Sequence, residues 1–486
     1  MQRLLLGVLA LALSACATLE PEPQPVPFTL PAEFVAPAIA GTATAEHWWK
    51  DFDDAHLDEF VATALEHNPA LAQAVARARM AEAQARVNRA DRLPQIGLGL
   101  ESSRQRQPLM MGMPSLGDTI PGFDEDALPS RDAMLVNNHS VALDISWELD
   151  LWGRLAALSA SARADYLASS EQLRAMRQSV AAQVVQIYFE IVHARAQVDL
   201  SERTAEALAE VARQINNRVE AGIASPADGM LADANLESAR AGLEQRHEAL
   251  MRALRQLEIM LGSYPTGALP TAHTLPELPA PPPSGLPAEL LARRPDVRAA
   301  ELGLHSAGYQ VQAAQRSFLP ALSLTGSAGF AGSELSELFR DSNFVWSIAG
   351  RIMQPIFQGG RLTAQVDIAE GQRDEALHGY AETALNALAE VETALAVEAR
   401  LQRREAALDA SASAAEEAVR VSFNRYLQGI DPFLNVLESH QRALDGRSAY
   451  LSAHHARLEN RVALHLALGG GFETTPLPTT VEPTDP

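Results

Sequence analysis

The chain has 486 residues, 47% of them hydrophobic and 5% aromatic, with a formal charge of −22 and one cysteine. That negative balance argues against nucleic acid as a partner, since phosphate binding needs a basic face, and a lone cysteine rules out a disulfide or a thiolate metal cluster within one chain. Beyond residue 15 no apolar run reaches the roughly 18 residues a membrane helix needs, so a mature chain that crosses a membrane does so as β-strands.

The first fifteen residues read as a signal sequence, because Arg3 precedes an apolar run, Leu4 to Leu13, too short to span a bilayer. The run ends in Leu13-Ser14-Ala15-Cys16, the small-residue pattern of a bacterial lipobox. Cys16 is expected to become the lipidated first residue. Ala17 stands where an Asp would resemble the inner-membrane retention signal of such lipoproteins, which points to the outer membrane.

Pro-rich segments at 20–39, 265–287 and 476–486 divide the chain into two halves, and the halves are repeats. A shift of 226 residues lays Pro69 on Pro295, Gln84 on Gln310 and Leu93-Pro94 on Leu319-Pro320. A shift of 207 lays Gly153-Arg154-Leu155 on Gly360-Arg361-Leu362, Gly222-Ile223 on Gly429-Ile430 and Leu261-Gly262 on Leu468-Gly469. The expected organisation is a leader over 1–15, a lipidated extended segment over 16–46, a first repeat over 47–262 and a Pro-rich linker over 263–290. A second repeat over 291–469 and a flexible tail over 470–486 complete it.

The two offsets differ by 19 residues, so the first half carries an insertion between Pro94 and Gly153; residues 104–131, with four prolines, resemble a long exposed loop. Its Met110, Met111 and Met113 are read as loop residues rather than as a soft-metal site, and no metal ligand or cofactor is assigned.

On either side of that loop the apolar period becomes two. Val141, Leu143, Ile145, Trp147, Leu149 and Leu151 form one face, with Ala142, Asp144, Ser146, Glu148 and Asp150 between them, as in a strand between lipid and water. Ile96, Leu98 and Leu100 give a shorter partner; Leu322, Leu324 and Phe330, then Phe344, Trp346, Ile348 and Ile352, give a second hairpin. The hairpins are placed at about 95–151 and 321–357. Alternation puts Asp144, Glu148 and Asp150 on the polar face, with Arg351 on the fourth strand in partial compensation.

Gly and Pro are nearly absent from Arg154 to Ala221 and from Arg361 to Gln428, which predicts uninterrupted helices about 100 Å long in a coiled coil or bundle. Shorter helices are expected over Pro226 to Leu261 and Pro432 to Leu468. They follow turns at Gly222 and Gly429, with Ser225 or Asp431 capping and Pro in the first helical position. The fold class is therefore mainly α with membrane β. Four strands cannot close a membrane barrel and an open edge is not tolerated in lipid, so several chains share one barrel; three copies give twelve strands continuous with a helical tunnel.

The chain resembles the outer-membrane efflux protein family, the TolC-like outer membrane factors, and most closely its NodT lipoprotein branch. The resemblance is carried over about 420 residues by His47-Trp48-Trp49 with Phe52, Asn68-Pro69 with Leu71, Leu93-Pro94, and Asp150-Leu151-Trp152-Gly153-Arg154. Arg293-Arg294-Pro295-Asp296-Val297 and Pro355-Ile356-Phe357-Gln358-Gly359-Gly360-Arg361 extend it through the second half. It implies a homotrimer with a twelve-stranded outer-membrane barrel and a helical tunnel in the periplasm. It also implies a periplasmic adaptor and an inner-membrane transporter as partners, and a role as passive exit duct of a tripartite efflux system for drugs or other small toxic compounds.

By position, the resemblance marks Gly222 and Gly429 as adaptor-contact tips and Asp228, Tyr426, Asn435 and Glu438 as gate candidates, although Asn435 and Asp431 depart from residues found in some members. A heavy-metal efflux or type I protein-secretion duct is the alternative. A structural coiled-coil envelope lipoprotein is the reading from another class, and it leaves the two-faced strands without a purpose. Catalysis has no support: there is no His-Glu-x-x-His, nucleophile elbow or phosphate-binding Gly loop, and His454 and His465 read as surface or packing residues.

The leader generates a direct expectation. Wild-type protein expressed with labelled palmitate should carry the label and Cys16→Ser should lose it, while assembly survives at a reduced level; an unlabelled wild-type chain would refute the anchor.

Overall fold

In a computed structural model of the protein, residues 27–36, 47–107 and 134–470 are described. A 3-10 turn at Trp48–Phe52 leads into α1 (Ala55–His67) and α2 (Pro69–Ala90), the strands β1 (Gln95–Gln107) and β2 (Met134–Leu149), and then α3 (Arg154–Glu220) and α4 (Pro226–Met260). The second half repeats the order with α5 (Pro287–Arg293), α6 (Pro295–Arg316), β3 (Ala321–Gly332), β4 (Phe344–Met353), α7 (Arg361–Leu427) and α8 (Phe433–Ala467). The long helices have 67 residues each and the short ones 35 each, so the repeat read from identities at fixed offsets is also a repeat of elements. None of the described helices is long and apolar enough to cross a membrane.

The chain divides into two compact units that cut across the repeats. One holds Glu82–Ala164 and His305–Asp374, with all four strands; among the described residues the other holds 27–36, 47–81, 165–304 and 375–470.

Within the helical unit, equivalent residues in the two halves do equivalent work. Asn68, which precedes Pro69, caps α2 by accepting from the Ala70 and Leu71 N–H groups, and its amide donates to the Met260 carbonyl at 2.8 Å. Its counterpart Arg294, before Pro295, donates to the Ala467 carbonyl at 3.0 Å and pairs with Asp296 and Glu390. Both residues therefore satisfy a terminal carbonyl of the short helix of their own half. Gly262 and Gly469 end those helices with φ of +72° and +86° and backbone bonds from the residue beyond them to the carbonyl five back, a left-handed cap that strains any residue with a Cβ. A Cβ at Gly262 would also lie 2.5 Å from the His67 carbonyl oxygen.

The core of this unit gathers Trp48, Trp49 and Phe52, then Leu57, Phe60 and Val61 of α1, Val184 to Val192 of α3, Leu254 and Leu257 of α4, and Leu458 and Val462 of α8. Asp54 caps α1 and accepts the Tyr188 hydroxyl, which in turn accepts the Ala272 N–H. The Pro-rich linker has no helix or strand across 263–286, yet it is packed. Leu269, Ala272, Leu275 and Leu278 lie against the core, the Pro276 carbonyl accepts from His454, and the Pro279 carbonyl accepts from Arg461. The N-terminal segment is held likewise, the Val35 and Ala36 N–H groups donating to the Glu392 carboxylate.

His465 is wholly buried, stacked on Trp48 at 4.8 Å with neither ring nitrogen hydrogen-bonded among the described residues. Burial, helped by the nearby Arg461 charge, pushes its pKa down to about 4. Below the ordinary value of 6.5 the unfolded chain takes up a proton here and the folded chain does not, so stability falls as pH drops through that window. The share at stake reaches roughly 3 kcal/mol by pH 4. Thermal unfolding at pH 7 and pH 5 should show a smaller pH shift for His465→Leu than for wild type; identical shifts would overturn this account.

Candidate functional site

The four strands form one antiparallel sheet in the order β1-β2-β3-β4, with β1 and β4 at its edges. The register keeps faces in step across all four. Ile96, Ile145, Gly326 and Ile348 lie in one row, Leu98, Leu143, Ala328 and Trp346 in the next, and Leu100, Val141, Phe330 and Phe344 in a third. The intervening rows are polar or small: Gly97, Asp144, Ser327 and Ser347, then Gln95, Ser146, Thr325 and Ala349. Among the described residues nothing covers the apolar rows. Leu98 is 68% exposed, Trp346 69% and Ile348 77%, which is the arrangement of strands that face lipid. Aromatic residues close both ends of the band, with Phe330 in edge-to-face contact with Phe339 and Phe344 at one end and Trp147 and Trp152 at the other. The indole N–H groups of these tryptophans donate to the Arg92 and Pro320 carbonyls.

The sheet corrects part of the polar-face assignment. β2 stops at Leu149, so Leu151 and Asp150 lie outside it, and the Asp150 carboxylate accepts the Leu155 and Ala156 N–H groups at 3.0 and 2.7 Å. Asp150 is a cap for α3, because the first N–H groups of a helix need acceptors and a carboxylate there is favoured by the helix dipole. Glu148 is on the polar face but pairs with Arg154 at 2.8 Å. Asp144 keeps its place with no ion pair among the described residues, and Glu101, opposite Ser140 on the same face, joins it. Arg351 lies opposite Ser323, in the row of Glu148.

β1 and β2 also run further than the apolar period predicts, to Gln107 and back to Met134, and on this extension the Ser102 hydroxyl meets His139 Nδ1 at 2.8 Å. That extension has no hydrophobic alternation by which to read it.

In the helical unit, the turns at Gly222 and Gly429 are the same structure twice. Each glycine has φ of +72°, its N–H bonds the carbonyl three back, and the following isoleucine bonds the carbonyl five back. Ser225 caps α4 as expected, with Pro226 next; the second turn differs, because Pro432 itself occupies the cap position of α8. Asp431 is not a cap. It forms a two-point ion pair with Arg425 at 2.6 and 3.1 Å, and that guanidinium holds its carboxyl below the usual range.

The four helix ends share a small core of Val211, Ala212, Ile215, Ala232, Tyr426, Phe433 and Val436. Two of the gate candidates meet there: the Tyr426 hydroxyl donates to Asp228 at 3.4 Å, its ring is buried, and the Arg218 guanidinium lies 5.6 Å from the ring centre. Burial and the Asp228 charge raise the Tyr426 pKa. The other two are not brought together: Asn435 is exposed, and Glu438 is exposed and pairs with Arg442 on its own helix. Arg218 and Arg425 were missed from sequence, although both precede a glycine turn at the same repeat offset. Cys16 and the Met110, Met111 and Met113 cluster lie outside the described residues.

A model of the outer membrane efflux protein family matches residues 61–263 and 286–470. The chain is 32% identical over 482 residues to the outer membrane protein OprJ of Pseudomonas aeruginosa, covering 96% of this chain and 95% of that one. It is 29% identical over 481 residues to the cation efflux system protein CusC of Escherichia coli, with 96% and 99% covered. Among solved structures, the CmeC outer membrane channel of Campylobacter jejuni superposes with a TM-score of 0.85 at 25% identity, covering 94% of this chain and 96% of that one.

The face assignment can be tested with neighbouring residues. Ile348→Arg should cost roughly 2–4 kcal/mol at mid-membrane depth and deplete folded protein from outer-membrane fractions, whereas Ser347→Arg on the polar face should be recovered near the wild-type level. Equal recovery of the two would show that the faces are wrongly assigned.

Proposed function

We propose that this chain, which belongs to the outer membrane efflux protein family and is an outer-membrane channel rather than an enzyme, works as a homotrimer whose three sheets close one barrel of twelve strands. The observation that carries the assembly is the sheet itself: one continuous apolar face, one polar face and two edges without partners among the described residues. Such edges cannot stand in hydrocarbon, and joining β4 of one copy to β1 of the next satisfies both. Cys16 would tether each copy to the outer membrane in addition to the strands.

In this reading the duct is passive and serves an inner-membrane transporter through a periplasmic adaptor, with Gly222 and Gly429 at the adaptor-contact tips. Tyr426 and Asp228 form the intrachain part of the gate, and Asn435 and Glu438 offer exposed polar groups to a neighbouring copy. Drugs or other small toxic compounds are the proposed cargo. The likeness to a cation efflux system protein supports metal ions as the second possibility.

A reconstituted channel should favour cations over anions; because Glu148 and Asp150 are engaged locally, that preference rests on Asp144 and Glu101, and it should weaken as salt rises.

Single-channel recording in planar bilayers tests the duct and its gate together. Wild-type protein should conduct, with small openings, and Tyr426→Phe combined with Glu438→Ala should raise conductance severalfold in a variant shown by cross-linking to be trimeric. Phe fills the Tyr426 site, so the change removes a hydrogen bond while keeping the packing. Unchanged conductance in a trimeric variant would remove these residues from the gate, and absence of any conductance from wild-type trimer would remove the duct.

A further inference from the structure

One cluster in the helical unit is left unexplained by conduction. On α3, Glu190 and His193 stand three residues apart and so share a helix face; on α8, His455 and Glu459 stand four apart and do the same. The two faces meet. His193 Nδ1 lies 3.8 Å from Glu190 Oε2, His455 Nε2 lies 3.6 Å from the same oxygen, and all three atoms fall within 4.8 Å of one another. Glu459 Oε1 is 3.9 Å from His455 Nε2. The imidazole rings stack at 4.8 Å with an angle of 12°.

From this geometry we propose that Glu190, His193 and His455 bind one divalent transition-metal ion of the zinc type, with Glu459 within reach as a fourth donor, stapling α3 to α8. Separations of 3.6 and 3.8 Å are too long for hydrogen bonds. They match the ~3.4 Å expected between two ligands that each lie ~2.1 Å from a tetrahedral ion. The buried nitrogens are also orphans: neither His193 Nδ1 nor His455 Nε2 has a hydrogen-bond partner among the described residues, and the His455 side chain is only 9% exposed. Burying such a group unpaired costs free energy that coordination recovers.

The surroundings suit a cation. Two carboxylates flank the imidazole pair, and both are about half exposed, which leaves an entry path. Coordination requires the rings to open from their stack so that their lone pairs converge, a rotation that breaks no bond at either orphan nitrogen. His193 must then carry its proton on Nε2, where Ser452 Oγ at 3.4 Å can accept it, and the Gln197 amide at 3.1 Å must turn its oxygen toward the ring.

Other histidines lack this combination. His454 has both nitrogens engaged, by Glu405 and the Pro276 carbonyl, and His465 is stacked on Trp48 with the positive Arg461 beside it. Imidazole with carboxylate selects zinc, nickel, cobalt or copper(II) over calcium or magnesium.

The test uses full-length protein in detergent, stripped with chelator and titrated with zinc chloride in a calorimeter, with cobalt chloride as a spectroscopic probe. Wild type should bind one zinc ion per chain, melt at a higher temperature with zinc, and give the intense visible bands of tetrahedral cobalt. Glu190→Gln, a half-exposed change that leaves the core intact, should weaken zinc binding about tenfold or more, and the double variant His193→Gln/His455→Gln should abolish it. Circular dichroism establishes that each variant is folded. Wild type that binds no zinc, or zinc binding unchanged in folded Glu190→Gln, would overturn the proposal.

Discussion

A β-strand in hydrocarbon must have every backbone N–H and C=O paired, because no water is there to replace a missing partner, and each orphan costs several kcal/mol. The described residues of this chain build four strands and leave two edges open. Much of the rest follows from that constraint. The open edges demand other copies, and the apolar rows that run unbroken across all four strands set which side meets lipid. The polar rows, with Asp144 and Glu101, take the opposite face.

The sheet has no second layer among the described residues, so the strand ends must be fixed by what flanks them. At the strand-to-helix junction that role falls to polar side chains rather than apolar packing. Asp150 caps α3, Arg316 donates to the Gly153 carbonyl at 2.8 Å, Glu148 pairs with Arg154, and two tryptophan N–H groups bond backbone carbonyls. Charge at this junction is therefore spent locally. A carboxylate that caps a helix or pairs with arginine contributes little to the field along the polar face, which is why a count of acidic residues overstates the charge available there.

The parts of this architecture legible in sequence were those with a period. Alternation in Val141 to Leu149, the long stretches without Gly or Pro, and glycines recurring at a fixed offset each encode one backbone geometry. What escaped was decided by tertiary contact. Asp150 continues the alternation of β2 perfectly, but the helix that follows needs acceptors for its first N–H groups and takes the residue out of the strand. Asp431 stands one residue ahead of a proline, as a cap does, yet Arg425 six residues back holds it. The linker at 263–286 has the composition of a loose connector, and its place against the core depends on groups as distant in sequence as His454 and Arg461. The Glu190, His193 and His455 cluster joins two helices more than 250 residues apart, so neither half of it is a motif alone.

The repeat offset of 207 residues also shows how two identical turns come to differ. Arg218 and Arg425 are equivalent, but the position of Asp431 is Ala224 in the first turn. Arg425 therefore has an acidic partner on its own turn, and Arg218 does not; it lies instead over the ring of Tyr426. Tyr426 itself stands where the first turn has Val219, and it reaches across to Asp228, whose equivalent is Asn435. The backbone is thus repeated while the polar contacts built on it are not. In a trimer the helical tips would be of two kinds, three of each. The pair of Arg425 with Asp431 lies within one turn, so a separation of Tyr426 from Asp228 would leave it intact.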